Sequence, residues 1–143
     1  MPIPDPFPGL VVGYSYLWRH EHRSGEEGGR KDRPCAIVLV SEQVDGETVV
    51  IVVPITHTSP QDDETAVELP PETKKRMGMD DQPSWVMVNE VNRFIWPGPD
   101  LRPIPNANPR RFDYGVLPPK LFKKITSAME ELRSKKRLTV VPR

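Results

Sequence analysis

The chain has 143 residues, and its 20 lysines and arginines balance its 20 aspartates and glutamates, so the formal net charge is zero. A neutral chain lacks the excess positive charge that broad capture of duplex nucleic acid requires, although a local basic patch is not excluded. The length favours one domain over residues 1–143, the single Cys35 excludes an internal disulfide, and no apolar stretch is long enough to span a membrane. Because the first residues also lack an export signal, we expect a cytoplasmic protein.

The beginning of the chain predicts an arm, a strand and a loop. Residues 1–8 are rich in proline and should form an extended N-terminal arm, whereas residues 10–18 have the apolar and aromatic composition of a strand. Gly13 within that strand indicates a bulge or a close approach of another backbone segment. Residues 19–32 are charged and rich in glycine, which predicts a solvated loop.

Two runs of valine and isoleucine between residues 33 and 56 predict a β-hairpin. A polar turn with an Asp45-Gly46 step separates the runs, and such a step favours a tight connection between antiparallel strands. Arg33 begins the first strand and Thr56 ends the second, so an antiparallel pairing should bring their side chains together at one rim of the sheet.

The second half of the chain predicts short strands, a proline-rich loop and one terminal helix. Short strands are expected at residues 66–69 and 112–117, a helical turn at 71–77, and a strand at 85–96 interrupted near Asn89-Glu90. A proline-rich loop is expected at 97–111, a helix with a basic end at 118–137, and an edge strand or a tail at 138–141. This order predicts a mainly β protein with a C-terminal helix, arranged as an SH3-like barrel.

Several short motifs in this order resemble a toxin family. They are Gly9-Leu10-Val11-Val12, Arg33-Pro34 leading a strand to Ser41, Pro54-Ile55-Thr56, Val88-Asn89-Glu90-Val91 and Pro118-Pro119-Lys120-Leu121. Together, over roughly residues 9–134, they resemble the MazF/PemK toxins of bacterial toxin–antitoxin systems. The resemblance implies the SH3-like barrel shared by MazF, CcdB and Kid, in which residues 97–111 would be an insertion.

The resemblance also implies an activity and partners. MazF-like toxins are endoribonucleases that cut single-stranded RNA without a metal or other cofactor, by attack of a 2′-hydroxyl on the adjacent phosphate. They act as homodimers and are neutralised by an antitoxin segment laid across the active site. These properties are expectations for this chain.

The catalytic residues implied by the resemblance are the Arg of Arg-Pro, here Arg33, and the Thr of Pro-x-Thr, here Thr56. A guanidinium matches phosphate oxygens, and a threonine hydroxyl donates a hydrogen bond to the same group. Some family members have an acidic residue where this chain has Asn89, and an amide cannot transfer protons near neutral pH. The candidates for that task are Glu90, which a bulge would have to redirect, and His57, since histidine titrates near neutrality. His20 and His22 are further candidates from the loop.

Other residues are expected to bind substrate. The family loop before Arg-Pro carries a Glu and a Gly, which suggests Glu26 or Glu27 and Gly28 or Gly29, beside the basic Arg30 and Lys31; Ser41 and Asn89 complete the set. Trp18, Phe94 and Trp96 are candidates for base stacking, for the core or for a dimer interface. His20 and His22 have the spacing of metal ligands, but no cysteine or aspartate cluster supports a metal site.

Two other functions fit the same barrel. A non-catalytic binding module could inhibit DNA gyrase as CcdB does, or the chain could be a degenerate protein that binds RNA or a peptide. In a purely structural interpretation, Arg33 pairs with Asp32 or Glu42 and Thr56 caps a strand end.

Overall fold

The computed structural model describes residues 3–23 and 31–143, which form a predominantly antiparallel β structure with a C-terminal helix. In chain order the elements are β1 (Leu10–Ser15), α1 (Arg19–Arg23), β2 (Asp32–Glu42), β3 (Thr48–Thr56), β4 (Ala66–Glu68), α2 (Pro71–Arg76), β5 (Trp85–Met87), β6 (Glu90–Ile95), β7 (Leu101–Arg102), β8 (Asp113–Val116), α3 (Pro119–Ser134) and β9 (Thr139–Pro142). The predicted fold class is confirmed, although the strand pairings between described residues do not close into a complete barrel.

The predicted central hairpin is confirmed as β2 and β3. The turn between them is closed by a hydrogen bond from the Gln43 N–H to the Glu47 carbonyl at 2.8 Å, and Gly46 adopts a φ of 87° that favours glycine. Cys35 pairs with Pro54 in the ladder. Extending this register by two residues places Arg33 opposite Thr56.

Strand β1 lies beside β2 on one edge and carries β7 and β8 on its other edge. At Gly13 a side chain would collide with the carbonyl oxygen of Arg102 in β7, which confirms the close backbone approach expected at this glycine. The proline-rich segment 97–111 is therefore partly strand, and its β7 is joined to the sheet.

The expected strand over residues 85–96 consists of two strands, β5 and β6. The chain leaves the sheet at Val88 and Asn89, where the Val88 N–H donates to the Thr65 carbonyl at 2.8 Å. Both strands pair with β3, and β6 also pairs in parallel with β9, so the edge strand predicted near residues 138–141 is confirmed.

The apolar face of α3 packs on the sheet. Leu121, Ile125 and Leu132 are buried at helical spacing against sheet residues such as Val53 and Val91. Among the described helices, none is long and apolar enough to cross a membrane.

The prediction that residues 19–32 are entirely loop is wrong at their beginning, where α1 forms. Consecutive residues of a helix are turned by about 100°, so His20 and His22 point about 200° apart rather than to one side. The His-x-His pattern therefore does not present two rings to one metal. Residues 3–7 contain neither helix nor strand, and a turn at residues 8–9 leads into β1.

A buried polar network joins β6 to the residue after β9. The Asn92 side chain accepts a hydrogen bond from the Leu17 N–H at 2.9 Å and donates one to the Leu17 carbonyl at 2.7 Å. Arg143, whose side chain is only 3% exposed, donates to Asn92 at 3.0 Å and to the Ser15 carbonyl at 2.7 Å, and it forms an ion pair with Asp100 at 3.0 Å. Because these groups are buried, each depends on its partner.

Arg143→Ala should lower the free energy of unfolding by about 3 kcal/mol, because it leaves the Asp100 carboxylate and the Ser15 carbonyl without their buried cation. Urea denaturation followed by tryptophan fluorescence measures this change. Arg133→Ala is the matched control, since its ion pair with Glu130 on α3 is exposed and should contribute little. Equal midpoints for the two variants would contradict the structural role of Arg143.

Candidate functional site

Arg33 and Thr56 lie on the border between two clefts at one rim of the sheet. Cleft A, of about 480 Å³, is lined by Lys31, Asp32, Arg33, Pro34, Ile55, Thr56, His57, Lys74, Gly78, Met79, Asp80, Ser84, Ile104, Pro105, Asn106 and Tyr114. Cleft B, of about 620 Å³, is lined by Trp18, His20, Arg33, Thr56, Thr58, Ser59, Pro60, Gln61, Asp62, Thr65, Met87, Asn89 and Arg137. The expectation that the arginine and the threonine meet at one rim is thus met by the geometry.

The Arg33 guanidinium lies over the indole ring of Trp18, 5.2 Å from the ring centroid. Its Nε is buried without a hydrogen-bond partner, and within residues 3–23 and 31–143 no carboxylate forms an ion pair with it. Asp32, one of the two partners suggested by the sequence, lies 3.6 Å from Arg102 instead, and Glu42 is at the far end of β2. Arg33 is therefore held by stacking rather than by neutralisation, which leaves its charge available to an anion.

The Thr56 hydroxyl caps the end of β3 and can still donate a hydrogen bond. Its Oγ1 accepts a hydrogen bond from the Thr58 N–H at 3.1 Å, which is the capping role suggested by the sequence. Since a hydroxyl has one donor hydrogen besides its lone pairs, Thr56 can still donate into either cleft.

His57 continues β3 by one residue and is fixed by an acidic partner. Its Nε2 lies 2.8 Å from the Asp80 carboxylate, whose other oxygen accepts a hydrogen bond from Lys74 at 2.7 Å. Lys74 is buried and also donates to the Ser84 hydroxyl at 2.7 Å and to the Gln82 carbonyl. The hydrogen bond from Lys74 lowers the pKa of Asp80, so its carboxylate stays ionised to orient the histidine.

Asn89 and Glu90 lie on different sides of the chain. Asn89 lines cleft B, whereas the half-buried Glu90 accepts hydrogen bonds from the Arg19 N–H at 2.7 Å and from the Tyr16 hydroxyl at 3.4 Å. Glu90 therefore holds the beginning of α1 and lines neither cleft. Burial raises the pKa of its carboxyl group. No bulge redirects this side chain toward Arg33, so the geometry gives no support to its expected part in proton transfer.

Of the other residues expected to bind substrate, Lys31 lies at the site and Ser41 does not. Lys31 lines cleft A and is exposed. Ser41 is eight residues further along β2 than Arg33, about 26 Å at 3.3 Å per residue, and accepts a hydrogen bond from Gln43 near the turn, so it belongs to the opposite end of the hairpin. Glu26, Gly29 and Arg30 lie outside the described residues.

The three aromatic candidates also separate. Trp18 lines cleft B, but Phe94 is buried in the core and stacks on Tyr14 with ring centroids 4.7 Å apart, and Trp96 packs against Phe94. Of the three, Trp18 alone borders the site.

Sequence reasoning missed Asp80, Lys74 and the contribution of residues 104–106 to cleft A. Asp80 is 23 residues from His57, and nothing in the local pattern links a turn aspartate to a histidine at that distance. Three or more His, Cys, Asp or Glu side chains arranged to hold a metal ion are not found in the described part of the chain.

Comparison with known proteins gives a family and a fold. The sequence model of the family described as PemK-like, MazF-like toxin of type II toxin–antitoxin system matches residues 16–94, a stretch that contains Arg33, Thr56, His57 and Asn89. No curated protein sequence matches the chain. A solved structure of an endoribonuclease in complex with its cognate antitoxin, from a mycobacterial species, superposes with a TM-score of 0.55 at 16% identity, covering 91% of this chain and 96% of that chain. At this identity the similarity shows a shared fold.

The free energy of unfolding of Glu90→Gln should increase relative to that of the wild type as the pH rises from about 4.3, the ordinary pKa of glutamate. Because the folded-state pKa of Glu90 is raised, its contribution to stability is complete below the unfolded-state pKa and is lost as the pH rises through the folded-state value. Urea midpoints of both proteins between pH 4 and pH 7 measure the difference.

Glu130→Gln provides a control of opposite sign. The pKa of Glu130 is lowered by Arg133, so any stability that its ionised form adds is lost as the pH falls. If the curves for Glu90→Gln and the wild type run parallel across this range, the carboxyl group is not penalised by burial.

Proposed function

Because the chain belongs to the family of PemK-like, MazF-like toxins of type II toxin–antitoxin systems, we propose that it is an endoribonuclease that cuts single-stranded RNA. The observation that carries this proposal is Arg33, a partly buried cation on the border of two clefts, which no carboxylate of the described residues neutralises. A phosphate diester crossing that border would meet the guanidinium with a nucleoside on each side. The match to an endoribonuclease fold adds support.

Arg33 and Thr56 are proposed to bind the scissile phosphate. The planar guanidinium offers paired N–H donors to two phosphate oxygens, and its charge is permanent. Charge builds on these oxygens in the transition state, so a cation already positioned by Trp18 lowers the barrier more than a mobile one would. This positive charge takes the part that a metal ion plays in other nucleases, and the proposed reaction needs no metal or other cofactor.

His57 is proposed to transfer protons. When its Nε2 donates to Asp80, its Nδ1 keeps a lone pair and can accept a proton. The 2′-oxygen gives its proton to a base and attacks phosphorus, the bond from phosphorus to the 5′-oxygen breaks, and that oxygen takes up a proton. The products are a 2′,3′-cyclic phosphate and a 5′-hydroxyl.

Two partners are proposed besides RNA. An antitoxin segment laid across clefts A and B would cover Arg33, as befits a toxin of this family, and the superposed endoribonuclease was itself solved with its antitoxin. A second copy of the chain is proposed to form a homodimer. The exposed Leu39 and Val140 line an apolar groove beside α3 that such a copy would cover.

Arg33→Ala should reduce RNA cleavage at least about 100-fold, since it removes the charge that stabilises the transition state. The measurement incubates purified protein in EDTA with a long single-stranded RNA and maps the ends of the fragments. Lys123→Ala, which removes an exposed cation on α3 that lines neither cleft nor the groove proposed for the homodimer, is the control and should cut normally. Discrete cuts that persist in Arg33→Ala would contradict the assignment, and inhibition of gyrase without any cleavage would favour the binding module.

His57→Ala should slow cleavage by about 100-fold or more, the usual effect of losing an acid–base residue. Added imidazole should restore part of the rate. A substrate whose leaving 5′-oxygen is replaced by sulfur needs no protonation, so it distinguishes the two tasks: a rate restored on this substrate assigns His57 as the acid, and an unrestored rate assigns it as the base. A rate in His57→Ala equal to that of the wild type would exclude both.

A further inference from the structure

We propose that the turn at residues 104–107 is the base-selective wall of cleft A, and that the Asn106 amide selects the nucleobase beside the scissile phosphate. The inference rests on the proposed function, because it assigns a further role within the same site. It concerns the proline-rich segment, to which the family resemblance gives no role.

The segment is fixed to the sheet directly beside the phosphate site. In β7, Leu101 pairs with Tyr14, and the carbonyl of Arg102 lies so close to Gly13 that no side chain fits between them. The Ser15 N–H donates to the Asp100 carbonyl at 2.9 Å. Tyr14 also pairs with Arg33 on the opposite edge of β1. The strand that positions the catalytic arginine therefore positions the wall as well.

An ion pair also connects β7 to the beginning of β2. Asp32 precedes Arg33 and lies 3.6 Å from Arg102, which itself donates to the Pro99 carbonyl at 2.6 Å. The beginning of β2 is thus linked to β7, which lies just before the wall in the chain, by an ion pair as well as through β1.

The turn itself is closed by backbone hydrogen bonds that leave the Asn106 side chain free. The Ile104 N–H donates to the Arg111 carbonyl at 2.8 Å, and the Ala107 N–H donates to the Ile104 carbonyl at 3.4 Å. Asn106 has a φ of 62°, a conformation that asparagine and glycine tolerate. Its side chain is exposed at cleft A, and no described residue forms a hydrogen bond with it.

The lining of cleft A suits a nucleobase whose phosphate lies on Arg33. Ile104, Pro105 and the half-buried Tyr114 give apolar surface for the faces of a planar ring. The Asn106 amide presents one donor group and one acceptor group, the combination that reads a base edge. The volume of about 480 Å³ lies within the roughly 300–1,000 Å³ usual for small-molecule sites.

Asn106→Gly tests the inference without disturbing the turn, because glycine accepts the positive φ and removes only the amide. The unmodified protein and the variant cut a pool of random single-stranded RNA, and sequencing of the new ends gives the base frequencies at each position around the cut. We expect the preference at one position flanking the cut to fall about tenfold in the variant, while the total rate changes only a few-fold.

Two further variants make the result specific. Asn106→Asp keeps the shape but replaces the donor by an acceptor, so the preferred base at that position should change rather than merely weaken. Gln43→Ala removes an exposed amide at the hairpin turn, far from cleft A, and should leave every frequency unchanged. Equal urea midpoints for wild type and Asn106→Gly confirm that the turn is intact.

The outcomes separate the inference from the proposed function. If the unmodified protein makes no cuts, the proposed function fails and the inference falls with it. If all proteins cut and Asn106→Gly shows the same base frequencies as the wild type, the inference alone is overturned. A protein segment rather than a base then becomes the expected occupant of cleft A.

Discussion

The pairing register of β2 and β3 is the constraint on which the site depends. Side chains alternate between the two faces of a strand, and both faces of this hairpin are buried, so a slip of one residue would exchange side chains between two differently packed clusters and separate Arg33 from Thr56. The burial of Ala36, Val52 and Val53 makes such a slip costly. The same apolar contacts that stabilise the hairpin therefore fix the distance between the two groups proposed to hold a phosphate.

Each remaining part of the site is attached to this hairpin by a different interaction. His57 follows β3 directly, and its orientation comes from Asp80, which a buried lysine holds in place. The proline-rich segment is attached through the pairing of its β7 with β1, where Gly13 allows close approach of the two backbones. The site thus combines a rigid rim with side chains delivered by loops, as is common where a sheet carries function at its edge.

The sequence was a good guide where a residue's position follows from local pattern. The valine and isoleucine runs predicted the hairpin and hence the meeting of Arg33 and Thr56, and the break near Asn89 predicted the separation of β5 from β6. It was a poor guide where position depends on tertiary contact. His57 pairs with Asp80, and Ile104 lines the same cleft as Arg33, although no local periodicity relates these residues. Likewise, α1 forms in a stretch whose charges and glycines favour a loop.

The parallel pairing of β6 with β9 bears on how the chain is made. When β6 emerges from the ribosome, β9, which covers one of its edges, has not yet been synthesised. The whole of α3 is made between these two strands. Until residue 143 is free, Asn92 lacks one of its buried partners and an apolar strand edge stays open. The newly made chain therefore passes through an interval in which one edge of β6 lacks its partner strand, although every residue that lines clefts A and B precedes β9 in the chain. A chaperone or a partner that covers this edge would act in that interval.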